Sequence, residues 1–349
     1  MSEISRIGLD TSKAVFTVHA IDHEGHPVLR VSLRRAQLLA FFRKRAATVV
    51  AMEACGGSHH WARKLSALGH EVRLIPPQYV KPYVKRGKND RNDAAAICEA
   101  AGRPGMRCVL AKTEDQQARA LVLKVRATLV EQRTHLINAL RGHAAEFGVI
   151  AGQGTGKVAA LLTAIAAAPE IPSLGQEMLA LLGQEIAHLD HRIAQLEKQI
   201  AAMHKADAIS QLLATAPGIG PIIALTFAVE VDPAAFESGR HLAAWLGLTP
   251  KEHSTGGKQR MGGISKAGHE RLRALLVSGA MAVIRAAERP GSKLLTEWLR
   301  QLLARKPKKV AAVALANKMA RMIWAMMTTG EAYRQPGAAG AARRAAVIS

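Results

Sequence analysis

An α/β segment at the N-terminus followed by a predominantly helical remainder is the architecture the sequence predicts. Three observations lead there. Short β-branched runs alternate with helix-period stretches over residues 1–105. From Glu114 to Phe147 there is no proline and a single glycine, which predicts one long helix. Beyond it, Leu182, Ile186, Leu189, Ile193, Leu196, Ile200 and Met203 step by alternating fours and threes, a sustained heptad seam. At 349 residues the chain is also long enough for two or three domains.

Within the first segment, Ile4–Leu9, Val15–Ile21 and Pro27–Leu33 read as consecutive strands joined by short turns such as Asp22-His23-Glu24-Gly25. Arg35–Ala46 has helical spacing, and Thr48–Met52 reads as a buried strand ending in Glu53-Ala54-Cys55-Gly56-Gly57. Ser58 is placed to cap a helix through Leu68, Gly69 stops it, and Glu71–Ile75 is a further strand closed by Pro76-Pro77. An alanine-rich helix is expected over Asp93–Ala101. This β-β-β-α-β-α-β-α order mixes a meander with parallel crossovers, as many α/β nucleases do. Residues 148–172 are glycine- and alanine-rich, a helix flanked by loops. The heptad suits an antiparallel helical hairpin or an intermolecular coiled coil, with packing inside its own domain as the plainer alternative. Ala-Pro217-Gly218-Ile219-Gly220-Pro221 reads as a tight turn between two helices, able to offer backbone N–H groups of Gly218 and Gly220 to a phosphate or simply to turn a corner.

Composition narrows the partners. Forty-eight Lys and Arg against 27 Asp and Glu leave a net charge of +21, which favours polyanions: nucleic acid or an anionic membrane surface. The stretch from Lys251 onward holds 19 Lys and Arg against 5 Asp and Glu. A second basic cluster comprises Lys81, Lys85, Arg86, Lys88 and Arg91. A charge run is usually a solvated face, but two such clusters in one basic chain point to nucleic acid. An apolar share of 49% excludes a disordered basic tail, and no uninterrupted apolar run reaches the ~18–20 residues of a membrane span. The N-terminus lacks a secretory pattern, and three cysteines (Cys55, Cys98, Cys108) build neither a disulfide framework nor a metal knuckle, so a reducing cytoplasm is expected. Aromatics at 4% argue against binding single strands by stacking alone.

Two constellations carry chemistry. Asp10 and Glu53 are placed just after the first and fourth strands, at the sheet edge where open α/β proteins bind ligands. Asp90 and Asp93 stand three apart, sharing a face if a helix begins by residue 90. Four converging carboxylates need cations, and hard divalent ions such as Mg²⁺ or Mn²⁺ are the common device for phosphodiester cleavage. Taken singly, Asp90 could merely cap the helix and Asp10 sit in a turn. The second constellation runs from Pro250 to Arg273 as a glycine-rich, hydroxyl-bearing, basic loop. Here Ser254 is a nucleophile on phosphorus or a capping or phosphate-binding serine, with Lys258, Arg260 and Lys266 to stabilise charge and Arg271 and Arg273 as further nucleic-acid contacts. His253 and His269 read as ordinary polar loop residues that could assist proton transfer. No Gly-x-x-x-x-Gly-Lys-Ser/Thr phosphate loop is present.

Gly8-Leu9-Asp10-Thr11-Ser12-Lys13, Met52-Glu53-Ala54 and Lys88-Asn89-Asp90-Arg91-Asn92-Asp93-Ala94 together resemble the DEDD transposases of bacterial insertion sequences. Pro217-Gly218-Ile219-Gly220 and His253-Ser254-Thr255-Gly256-Gly257-Lys258 through Gly268 are similar to the second half of that family, so the resemblance spans nearly the whole chain in order. It implies a ribonuclease-H-like (RuvC-like) domain over residues 1–112 with the helix 113–147 attached. A helical coiled-coil region at 148–205, a mainly helical C-terminal transposase domain at 206–335 and a tail at 336–349 would follow. It further implies Asp10, Glu53, Asp90 and Asp93 as metal ligands. Ser254, or its neighbour Thr255, would become covalently joined to DNA. The implied partners are donor and target DNA, a structured noncoding guide RNA (a bridge RNA) and further copies of the chain, as a dimer assembling to a tetramer. No membrane is among them, and the setting would be the bacterial cytoplasm and nucleoid. The alternatives are a hydrolytic nuclease resembling a junction resolvase, in which Ser254 only holds phosphate, and a catalytically inactive nucleic-acid-binding protein.

Overall fold

The computed structural model describes residues 3–85 and 89–334. The chain divides into two units, Met1–Gln117 and Ala118–Ser349. The first contains β1 (Arg6–Thr11), β2 (Val15–Ile21), β3 (Pro27–Arg34), α1 (Leu38–Arg43), β4 (Val49–Glu53), α2 (Ser58–Ser66), β5 (Glu71–Ile75), α3 (Pro77–Val80) and α4 (Asp90–Ala101). The strand order is β3-β2-β1-β4-β5. β1 and β3 run antiparallel to β2, while β1, β4 and β5 are mutually parallel. This mixed sheet is consistent with a ribonuclease-H-like domain.

Alternation along the strands assigns the two faces. Ile7, Leu9, Phe16, Val18, Val50 and Met52 join Leu38 and Phe42 of α1 and Trp61 and Leu65 of α2 in one core. On the opposite face Ala51 and Ile75 meet Ala96, Ile97, Ala100 and Ala101 of α4. Alanines make α4 thin, and Gly8 lets it come closer still. A Cβ at Gly8 would stand 2.1 Å from the Ala94 carbonyl oxygen and 2.6 Å from the Cys98 amide nitrogen, so only glycine fits.

The structure moves several boundaries. β1 extends through Thr11 because its hairpin partner pairs to the end, Thr11 opposite Phe16, so Asp10 lies inside the strand rather than after it. Asp22 carries the β2–β3 turn, its carboxylate accepting from the amides of Glu24 and His26. Ser58 is not the cap of α2: Gly57, at φ 87°, occupies that position, and the Ser58 hydroxyl donates to the Cys55 carbonyl. α4 starts at Asp90, three residues earlier than expected, because the Asn89 side chain caps it.

The second unit contains the greater part of α5 (Glu114–Glu146), then α6 (Val158–Ala167), α7 (Ser173–Ala206), α8 (Ala208–Ala214), α9 (Pro221–Glu230) and α10 (Gly239–Trp245). After them come β6 (Pro250–Glu252), β7 (Met261–Ile264), α11 (Glu270–Ala287), α12 (Glu297–Arg305) and α13 (Lys308–Thr329). The heptad seam lies on α7 and is satisfied within the chain. Ile186 packs in one cluster with Leu140 of α5 and Leu161 of α6, and Ile200 in another with Leu123 of α5 and Leu225 of α9. Arg119–Asp207, Arg126–Glu197 and Arg133–Asp190 ion pairs step in opposite directions along α5 and α7, so the two run antiparallel. α7 thus lies antiparallel to α5 and packs on α6 and α9 as well, so Ile186 and Ile200 of the heptad serve packing within the chain, the plainer of the alternatives.

α13 is long and apolar enough in composition to cross a membrane, although lysines and an arginine interrupt its apolar run. Its place in the fold explains the composition. Ala311, Ala312, Ala316, Met319, Ala320 and Ile323 are fully buried in the main core of this unit, against α10 and α11.

Candidate active site and nucleic-acid interface

The acidic site is built from two strand ends and one helix start. Leu9 pairs with Met52 in the parallel β1–β4 ladder, so the next residues, Asp10 and Glu53, emerge at the same carboxyl edge. Across the sheet face, Gly8 seats α4 on β1, delivering the first turn of that helix to Asp10. The Asn89 carboxamide oxygen accepts from the amides of Arg91 at 2.7 Å and Asn92 at 3.3 Å. Capping therefore falls to Asn89, and the Asp90 carboxylate is not used for it. Ligand atoms of Asp10, Asp90 and Asp93 lie within 4.8 Å of one another. Glu53 stands outside that trio but within electrostatic reach of it.

The energetic sign of this cluster is unfavourable. Burial, then the charges of Asp90, Asp93 and Glu53, push the Asp10 carboxyl from 3.8 to about 6, against an opposing hydrogen bond from the Thr11 amide. Burial and Asp93 also raise Glu53. None of the four carboxylates makes an ion pair among the described residues. Three half-buried carboxylates and the exposed Asp90, without cationic partners among the described residues, are a donor set for a hard divalent cation.

The Ser254 segment is a β-hairpin, where the sequence predicts a loop. Gly256 and Gly257, at φ 56° and 76°, form the two-residue turn between Thr255 and Lys258, which pair with each other. No heavy atom lies near either glycine's α-carbon on the side a Cβ would occupy. Residues 251–260 are all exposed. The Ser254 hydroxyl donates to Glu252 Oε1 at 2.7 Å and accepts from the Arg260 amide at 3.2 Å. Ser254 is thus oriented by a carboxylate two residues away, a partner the sequence reading did not single out.

At the base of the hairpin several residues have structural tasks. A Cβ on Gly247 would meet the Ala267 carbonyl at 2.2 Å, and one on Gly268 the Trp245 carbonyl at 1.7 Å, so the chain passes backbone on backbone. Lys266 accordingly adopts φ 55°. His269 caps α11 through Nδ1, accepting from the Leu272 amide, and its Nε2 lies 3.1 Å from Glu230. Arg271 also pairs with Glu230, whose side chain is 2% exposed. Burial pushes Glu230 up, but hydrogen bonds and charge from His269 and Arg271 outweigh it and hold the carboxyl at about 2. Arg273 donates to the carbonyls of Leu246 and Ala267. The guanidinium groups of Arg271 and Arg273 are therefore engaged inside the fold, while Lys258, Arg260 and Lys266 are exposed.

Gly218 is a packing glycine. At φ 80° it turns from α8 toward α9, and a Cβ there would stand 2.6 Å from Val283 and 2.8 Å from the Gly279 carbonyl. Gly220, at the start of α9, is open. Of the other basic cluster, Lys81, Lys85 and Arg91 are exposed, and Arg86 and Lys88 lie outside the described residues.

Comparison with known proteins gives the family. Residues 7–148 match the family model for the DEDD transposases of the IS110 group, described as "Transposase", and residues 210–296 match "Transposase IS116/IS110/IS902 family". The chain is 51% identical over 336 residues to the Sinorhizobium fredii protein named "Putative transposase y4pF/y4sB", covering 96% of this chain and 87% of the relative. It is 50% identical over 339 residues to the "Probable family 20 transposase" of Pseudomonas aeruginosa, covering 96% and 99%. To the "Transposase for insertion sequence element IS1111A" of Coxiella burnetii it is 40% identical over 338 residues, covering 96% and 92%. With both halves matched and relatives aligned along nearly their full lengths, the chain belongs to the IS110/IS116 family of DEDD insertion-sequence transposases, enzymes that cut and rejoin DNA.

Proposed function

We propose that this transposase exchanges DNA strands through a divalent-cation site made by Asp10, Glu53, Asp90 and Asp93 and a covalent intermediate on Ser254. The carboxylate cluster carries the proposal: three ligand oxygens within 4.8 Å and an Asp10 carboxyl raised to about 6 fit Mg²⁺ or Mn²⁺. Such an ion, when bound, supplies positive charge to the phosphate being cut. The protein's own steps begin at Ser254. Its Oγ attacks phosphorus and its proton passes to the Glu252 carboxylate it already contacts. The Oγ–P bond forms, the bond from phosphorus to the 3′ oxygen breaks, and that oxygen takes a proton from solvent to give a free 3′ hydroxyl, while Glu252 releases to solvent the proton it received. Rejoining to another strand reverses the step. Exposed Lys258 and Arg260 beside Ser254 suit the negative charge of the pentavalent phosphorus.

The net charge of +21 suits the further partners we assign: donor and target DNA, and a structured noncoding RNA from the same insertion sequence that pairs with both. Action as an oligomer belongs to the same reading. The experiment is recovery of DNA bound to protein that has been denatured, from cells carrying the insertion sequence. Wild type and Thr255→Ala should retain a covalent adduct that Ser254→Ala lacks. An adduct surviving Ser254→Ala, or none in the wild type while DNA is still cut, would replace this reading with metal-assisted hydrolysis.

A further inference from the structure

Beside the acidic site, on the same α4 face of the sheet, lies a cavity of about 190 Å³ lined by Thr17, His19, Arg30, Ser32 and Arg91. Its position follows from register. Thr17 pairs with Asp10 and His19 with Gly8 across the β1–β2 hairpin. Ser32 and Arg30 come next, paired to Thr17 and His19 from β3. All therefore stand on the face that carries Asp10, and Arg91 follows Asp90 in the first turn of α4. The cavity is one strand over from the carboxylates.

Its floor is unusual chemically. Within β2 the core-facing residues Phe16, Val18 and Ala20 are apolar, as a buried strand requires, but the alternate positions are Thr17 and His19. These side chains are 5% and 6% exposed, yet neither makes a side-chain hydrogen bond among the described residues. Neither residue's polar atoms are among the buried side-chain atoms left without a partner, so those atoms reach solvent, and both residues line the cavity. The rim is cationic and hydroxylic, with exposed Arg30, Ser32 and Arg91. Burial, then the charges of Arg30 and Lys85, push the His19 imidazole down, so it offers a neutral N–H.

We propose that this cavity holds a backbone phosphodiester of the DNA strand being cut, next to the phosphate held at the acidic cluster. The Thr17 hydroxyl and a His19 N–H would donate to the phosphate oxygens, and Arg30 and Arg91 would close over them. The physical need is plain: four carboxylates repel a polyanion, and a neighbouring cationic socket offsets that repulsion and fixes the strand's register. A cavity of about 190 Å³ is room enough for a phosphate group. This inference rests on the acidic cluster being the cutting site.

The test uses the full chain, with His19 followed by imidazole NMR and assigned by loss of its signal in His19→Gln. The probe is the dinucleotide d(TpT), compared with its methylphosphonate analogue, which lacks the linkage charge. The His19 signal should shift saturably with d(TpT) and not with the analogue. Thr17→Val, which keeps the branched shape, and Arg30→Ala, at an exposed position, should each weaken that binding about tenfold. An unshifted signal, equal shifts with both probes, unchanged affinity in both variants, or tighter binding of UpU than of d(TpT) would each overturn the assignment. Mn²⁺ affinity, measured alongside, separates the two readings. Loss of d(TpT) binding in Thr17→Val with Mn²⁺ affinity kept isolates the cavity as a site of its own. A wild type that binds d(TpT) but no Mn²⁺ leaves the cavity standing and removes the metal site.

Discussion

Replacing Asp10 by asparagine should make the metal-free protein more stable while removing its function. The wild-type carboxyl rises from 3.8 in the unfolded chain to about 6 in the fold. Two units at ~1.4 kcal/mol each set an upper bound of about 3 kcal/mol. Asp10 is only half-buried, and solvent screening reduces this to roughly 1–2 kcal/mol. The sign follows from proton counting. Between pH 3.8 and about 6 the folded state holds a proton that the unfolded state has released, so wild-type stability falls as pH rises through that window and is flat above it. Asparagine carries no such penalty. Urea unfolding without divalent ions should therefore find Asp10→Asn more stable at pH 8, with the gap closing toward pH 4. Saturating Mg²⁺ should reverse the order, because the ion binds the folded wild type alone. No gain at pH 8, or a gain undiminished at pH 4, would refute the view that the fold holds the Asp10 carboxylate against the cost of burial and of its acidic neighbours.

Other consequences are as definite. Gly8→Ala forces α4 off β1 by the overlap with Ala94 and Cys98, and should cost at least about 2 kcal/mol in chemical unfolding and weaken Mn²⁺ binding more than tenfold. Asn89→Ala removes the cap of α4 and should cost about 1 kcal/mol, with hydrogen exchange faster at the Arg91 and Asn92 amides. Glu230→Gln leaves Arg271 without its buried partner and should destabilise the second unit by about 3 kcal/mol in thermal unfolding. The wild-type ion pair contributes stability above pH 4.5 that is lost as pH falls toward about 2, and an acid titration of the Glu230→Gln protein should lack that component. Glu252→Gln should slow formation of the Ser254–DNA adduct by ~10²-fold or more without reducing DNA binding, as read by adduct yield against time.

The sheet was legible because each strand of the first unit is a short β-branched run bounded by turn residues, and β2 and β5 fall where the pattern puts them. Asp10, Asp90 and Asp93 were legible as a group because strand ends and a helix start have fixed addresses in such a fold. What made them meet was less visible: Gly8 reads as an ordinary strand glycine until α4 is seen against it. The Thr17–His19 cavity left a faint mark, two polar residues on one parity of an otherwise apolar strand, easily taken for a solvated edge. In the second unit the sequence predicts only a glycine-rich loop around residues 256 and 257, where the two glycines form a hairpin turn. α13 escaped notice because lysines and arginine interrupt its apolar run. The carboxylate and carbonyl partners of Arg271 and Arg273 are remote in sequence, so only the fold shows them.

The central claim is that Asp10, Glu53, Asp90 and Asp93 form a divalent-cation site. Mn²⁺ titration of the full chain followed by electron paramagnetic resonance tests it most directly. The account predicts saturable Mn²⁺ binding in the wild type, at least a tenfold loss in Asp10→Asn and Asp93→Asn, and competition by Mg²⁺. Equal Mn²⁺ binding by wild type and both variants would contradict it.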